Sequence, residues 1–142
     1  MTEIAPGTNR AFSFTVPTTH PDNVWALWTT PDTWEQWDRG LKSAALDGPM
    51  SLGSVGRIVP HSGPTTTFKV VAYDLGQSYA FETRLPGAIL RVERAFNAER
   101  TEFTHRVTFS GATSVLFAAL FGPGFRKALP PTMQQLKAIA ET

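Results

Sequence analysis

The sequence predicts an α+β domain in which a curved antiparallel sheet grips one long C-terminal helix, and three observations carry that reading. First, the breaks at Asp47-Gly48-Pro49, Gly53, Gly56, Pro60, Gly63-Pro64, Asp74-Leu75-Gly76, Pro86-Gly87 and Asn97 to Arg100 cut the middle of the chain into strand-length segments. Second, three successive hairpins, each centred on its own turn, assign the same residues to the same side of the sheet. Third, residues 113–142 carry Phe125, Leu129, Met133, Leu136 and Ile139 or Ala140 at helical spacing. An amphipathic helix at the end of such a chain has only the sheet to bury its face against. A sheet closed over a helix in this way leaves room for a cavity between them.

Taken in order, residues 1–9 are small, polar and irregular, and are expected to fray. The rest, 10–142, is expected to form a single domain. Arg10 to Val16 alternates, with Phe12, Phe14 and Val16 on one side, and Pro17 ends the strand. Pro21 suits the first turn of a helix, with Thr19 or His20 as its cap, and Val24, Leu27 and Trp28 follow at helical spacing. Thr30-Pro31-Asp32 is a second start signal: a hydroxyl cap, a proline at the first helical position and an acid at the positive end of the dipole. Trp34 and Trp37 lie one turn apart on that short helix.

Centring the first hairpin on Leu75-Gly76 pairs Val70 with Phe81 and Lys69 with Glu82. Centring the second on Pro86-Gly87 pairs Phe81 with Val92 and Glu82 with Arg91. Centring the third on Ala98-Glu99 pairs Val92 with His105. Because strand side chains alternate, one face collects Phe68, Val70, Ala72, Tyr79, Phe81, Thr83, Leu90, Val92, Arg94, Phe96, Phe103, His105, Val107 and Phe109. The other collects Lys69, Glu82, Arg91 and further polar residues, a cross-strand charge ladder suited to a wet face. Pro130-Pro131 is expected to kink or restart the terminal helix, and Gly122-Pro123-Gly124 to bend or break it earlier.

Composition excludes several functions. A formal net charge of +1, from 13 basic and 12 acidic residues, provides no field for nucleic acid, and the basic residues form no stripe. The absence of cysteine excludes disulfides and thiolate chemistry. Three histidines, His20, His61 and His105, lie on separate elements with no close ligand pair, so neither a metal nor another cofactor is expected. No signal segment is seen near the N-terminus, and the apolar run Val115 to Phe121 is far too short to span a bilayer. A cytoplasmic protein without stable membrane insertion is the expectation.

The order strand, two short helices, antiparallel strands and long helix resembles the START-like superfamily, the polyketide cyclase/dehydrase and lipid-transport group. The resemblance covers roughly residues 10–141. It rests on Val24-Trp25, on Pro31, Asp32, Trp34 and Trp37, and on Gly53, Ser54 and Gly56. Asp74, Thr104-His105-Arg106 before Gly111, and Leu136-Lys137 complete it. It implies the helix-grip fold. Members include lipid and sterol carriers, plant hormone-binding proteins, aromatic polyketide cyclases and co-chaperone domains, so the resemblance implies no single activity.

The polar residues on the gripping face are the site candidates. Tyr79 stands opposite Arg94, with His105 diagonal to it and Thr83 further along. A guanidinium there suits a carboxylate, enolate or phenolate oxygen, a histidine can shuttle a proton, and a tyrosine can bond a carbonyl. Tyr79, Arg94 and His105 are therefore the catalytic candidates if the protein is an enzyme. The alternative is structural: Arg94 at the rim reaching water or a helix carbonyl, and His105 a half-buried, satisfied side chain. An apolar pocket is expected from Phe68, Val70, Phe81, Val92 and Phe103 of the sheet with Phe117, Phe121, Phe125 and Leu129 of the helix. Trp28 or Trp37 would wall its mouth. Three functions follow: binding of a small hydrophobic or amphipathic ligand, a cyclase/dehydrase-type reaction, or a protein-interaction module using the 115–121 segment, with a homodimer as one form.

Overall fold

Each hairpin of the sheet is set by its turn, and the turns explain where the expected registers hold. The computed structural model describes residues 10–142, so the expectation for residues 1–9 lies outside the described residues. The elements are β1 (Ala11–Pro17), α1 (Pro21–Trp28), a 3-10 helix (Pro31–Gln36), β2 (Leu41–Leu46), β3 (Val55–Pro60), β4 (Thr66–Asp74), β5 (Ser78–Leu85), β6 (Ala88–Phe96), β7 (Glu102–Ser110) and α2 (Ser114–Ala140). The strands form one curled antiparallel sheet in the order β1-β7-β6-β5-β4-β3-β2, which with α2 makes the helix-grip arrangement.

The β5–β6 hairpin has the expected register, Phe81 opposite Val92 and Glu82 opposite Arg91. Its loop is just Pro86 and Gly87, where Gly87 supplies the positive φ of 72° that the tight turn needs. The β4–β5 pairing keeps Lys69 opposite Glu82 and Val70 opposite Phe81, then shifts between Val70 and Ala72. Ala72 therefore leaves the gripping face and Tyr73, opposite Tyr79, takes its place. The β6–β7 register is corrected by two residues: Val92 faces Val107, and Arg94 faces His105 directly. The cause is the turn, where the Asn97 side chain accepts from the Thr101 and Glu102 amides at 2.8 and 3.0 Å and Arg100 takes φ 57°. A shift of two preserves every face, so the inward set survives.

The two short helices start at prolines as expected, but neither His20 nor Thr30 makes a side-chain cap bond. The Thr30 hydroxyl donates backward to the Ala26 carbonyl at 2.7 Å, and Thr33 bonds both Leu27 and Thr30 carbonyls. These bonds tie the 3-10 helix to α1. Trp28, Trp34 and Trp37 lie completely out of solvent, packed against aromatic side chains and His105 of the sheet.

Helix α2 runs unbroken for 27 residues through all three prolines, which corrects the expected breaks. Pro123, Pro130 and Pro131 deprive the carbonyls of Ala119, Arg126 and Lys127 of donors, and all three of those residues are exposed, so water can serve them. The helix lies on β1 and β7 and touches β6 only slightly. Leu129, Met133, Leu136 and Ala140 are buried, as the periodicity predicts. Gly122 permits the closest approach: a Cβ there would stand 2.3 Å from Cζ of Phe12. Gly122→Ala is therefore expected to cost about 1–3 kcal/mol by overpacking. At Gly124 a Cβ meets nothing within 4 Å. Gly124→Ala should stabilise by about 0.5–1 kcal/mol through helix propensity. Thermal unfolding of the pair checks both signs.

Candidate functional site

The three strands β5, β6 and β7 set Tyr79, Arg94 and His105 in one row, each opposite the next. All three are buried, at 1%, 5% and 3% exposure. The rim placement considered for Arg94 does not occur. Trp28 ties the row together. Its indole N–H donates to His105 Nε2 at 2.9 Å, and its carbonyl accepts the Tyr79 hydroxyl at 2.8 Å. The Tyr79 oxygen in turn accepts from Arg94 Nη1 at 2.6 Å.

This network assigns protonation. An indole can only donate, so His105 Nε2 carries a lone pair and the ring proton sits on Nδ1. Burial, then the nearby Arg94 charge, hold His105 well below the usual histidine range. The ring is neutral at pH 7, and its accepting nitrogen is occupied by Trp28. Burial likewise pushes the Tyr79 hydroxyl up, against the pull of Arg94, so it stays protonated.

Arg94 is the unusual member. Its guanidinium carbon lies 4.5 Å from the Trp34 ring centre, 4.9 Å from Trp37, 5.4 Å from Phe81 and 5.8 Å from Tyr79. Four aromatic faces thus surround a buried cation. Among the described residues it forms no ion pair. Its Nε and the indole Nε1 of Trp37 are buried donors with no acceptor. Asp38, just past the 3-10 helix, is the carboxylate that feels the Arg94 charge; burial raises its pKa, while the Gly40 amide and Arg94 oppose that rise.

The remaining sequence candidates divide. Phe68, Val70, Phe81 and Phe103 are buried on the inner face. They pack against tryptophan rather than facing an open cavity: Trp34 lies 5.5 Å from Phe68 and 5.6 Å from Phe81, and Trp28 lies 5.8 Å from Phe103. Thr83 and Leu129 are buried, Phe117 and Phe125 are half-buried, and Phe121 is 47% exposed. Trp28 and Trp37 sit inside the polar row instead of at a mouth. The tryptophan cluster was legible, but nothing in strand periodicity locates α1 and the 3-10 helix over particular strands.

A partly covered apolar strip leads toward the row. On the inner face of β6, Leu90 and Val92 are only partly buried. Their cross-strand neighbours Thr83, Phe81, Val107 and Phe109 are buried. The helix leaves β6 thinly covered, so Leu90 and Val92 form an apolar track that ends at Arg94, two residues further along the same face. Two clefts lie elsewhere. One of about 410 Å³ is lined by Glu93, Asn97, Glu102 and Arg106, and one of about 400 Å³ by Phe12, Phe14, Arg126 and Leu129.

The histidine has a stability consequence. Its folded pKa is depressed, so the unfolded chain binds the extra proton once the pH falls below about 6.5. Stability is full above that value and is lost as the pH falls toward the folded pKa, by up to about 1.4 kcal/mol per pH unit. Urea unfolding between pH 5 and pH 8 should show this slope, and His105→Gln should flatten it.

Solved structures share the fold. A protein of Nitrosomonas europaea superposes with a TM-score of 0.72 at 12% identity, over 94% of this chain and 96% of that one. A hypothetical protein of Helicobacter pylori gives 0.73 at 12% identity, over 96% and 91%. The di-domain ARO/CYC StfQ of the steffimycin biosynthetic pathway gives 0.66 at 13% identity, over 94% of this chain and 51% of its own. No curated protein matches the sequence. Residues 11–141, from the first strand to the end of the gripped helix, match the model of the polyketide cyclase/dehydrase and lipid transport family, and the chain belongs to that family.

Proposed function

We propose that the protein binds a small amphipathic ligand on the concave side of the sheet, with its apolar body over Leu90 and Val92 and an oxyanion at Arg94. The carrying observation is the buried guanidinium: among the described residues it has no carboxylate partner, and it sits beside a second orphan donor, Trp37 Nε1. The guanidinium has one acceptor, the Tyr79 hydroxyl, while its Nε has none among the described residues, and a carboxylate, phenolate or enolate oxygen would supply what is missing. The aromatic walls favour a planar body, and an aromatic or polyketide-like ligand is consistent with the family's description as polyketide cyclases/dehydrases and lipid transporters.

A cyclase-type reaction would use the same anchor to stabilise an enolate oxygen. His105 is poorly placed as its base, because its only accepting nitrogen is already bonded to Trp28. Binding is therefore the reading the geometry favours. The test is a tryptophan-fluorescence titration with 2-naphthoate against the neutral 2-naphthylmethanol. The acid should bind about 10- to 100-fold more tightly, the range of a charge-assisted hydrogen bond, and Arg94→Met should erase the difference. Equal binding of acid and alcohol, or no binding of either, would defeat the proposal.

A further inference from the structure

The first three turns of α2 are inside out. The fully buried residues are small, namely Ser114, Ala118 and Gly122, with Phe117 half-buried beside them. The large apolar residues face away: Val115 is 68% exposed, Leu116 57%, Leu120 62% and Phe121 47%. The close approach at Gly122 explains the small side, since β1 leaves no room for more. It does not explain why the outer side is apolar, where a globular protein gains nothing from leucine. Charge is equally one-sided. No Asp or Glu occurs between Glu102 and Glu141, so α2 carries Arg126, Lys127 and Lys137 and no acid. Lys127, exposed, stands at the end of the apolar patch, while the exposed Arg126 lays its guanidinium over the Phe12 ring at 4.9 Å; neither forms an ion pair among the described residues.

We propose that this half of α2 is a docking surface for an anionic lipid bilayer. Val115, Leu116, Leu120 and Phe121 would enter the interface, and Lys127 would meet the headgroups. An apolar helix face bordered by cations is complementary to that partner. It is less suited to a second copy of the chain, which would bring an equally basic helix against this one. No helix of the described residues is long and apolar enough to cross a membrane, so the contact is peripheral. The inference stands apart from whatever Arg94 holds.

The experiment is co-sedimentation of the full chain with vesicles of phosphatidylcholine alone or mixed equally with phosphatidylglycerol. Sedimentation with the mixed vesicles, weakened by added salt, is expected, with little on phosphatidylcholine. The double variant Leu116→Glu/Leu120→Glu alters only exposed positions and should bind at least about tenfold less, with an unchanged circular dichroism spectrum. Lys127→Glu should weaken binding to the mixed vesicles alone. Absence of wild-type binding to mixed vesicles overturns the proposal, as does undiminished binding by the double variant. A dimer in analytical ultracentrifugation that the double variant dissociates, without vesicle binding, overturns it in favour of self-association.

Discussion

Trp28→Ala is expected to destabilise the protein by about 3–5 kcal/mol, the range for deleting a large buried aromatic side chain. Against a total of about 5–15 kcal/mol for a domain, that leaves little folded protein at 37 °C. The size follows from what the indole touches. It is fully buried, with Phe96 at 4.7 Å, His105 at 5.7 Å, Phe103 at 5.8 Å and Trp25 at 6.1 Å between ring centres. Trp28→Phe separates packing from hydrogen bonding. It keeps most of the ring and strips the donor from His105 Nε2, so it should cost about 1–3 kcal/mol, the penalty of an orphaned buried acceptor. Urea unfolding followed by circular dichroism measures both. A Trp28→Ala loss under about 1 kcal/mol would mean that the ring is not the keystone its contacts indicate.

Much of the sheet was legible because strand faces alternate whatever the loops do. The β6–β7 turn was centred one residue early, at Ala98-Glu99, yet the inward placement of Arg94 and His105 survived, since moving a centre by one residue moves each partner by two. The inward placement of Ala72 did not survive, because the extra residue at Val71 flips everything beyond it on one strand, and no glycine or proline marks the spot. The helices were harder. Proline signals helix starts from local sterics, so α1 and the 3-10 helix were placed. Their docking is a long-range event, and the fact that Trp34 and Trp37 enclose Arg94 is written in no local pattern. The outward-facing leucines of α2 were hidden for a related reason. Residues 114–125 are apolar on every side, and an all-apolar stretch does not say which face the sheet takes. Only the small residues Ser114, Ala118 and Gly122, four apart, hint at it.

The deepest consequence of that docking is an arginine whose presence costs stability. Arg94 loses its hydration shell and gains no carboxylate; one hydrogen bond to Tyr79 and four aromatic faces offset part of the several kcal/mol involved. Arg94→Met removes the charge and keeps a flexible apolar chain in contact with the same rings. Tyr79 keeps its acceptor, the Trp28 carbonyl. The variant should therefore be as stable as the parent or more so, by about 1–2 kcal/mol. Arg94→Lys keeps the charge in a form that is more strongly hydrated and stacks poorly on rings. It should fall below the parent by about 2 kcal/mol or more. The order Met, Arg, Lys in denaturant midpoints marks a residue retained for what it binds. If Arg94→Met is instead the least stable of the three, the guanidinium is a structural strut, and the anion-anchoring role loses its physical basis.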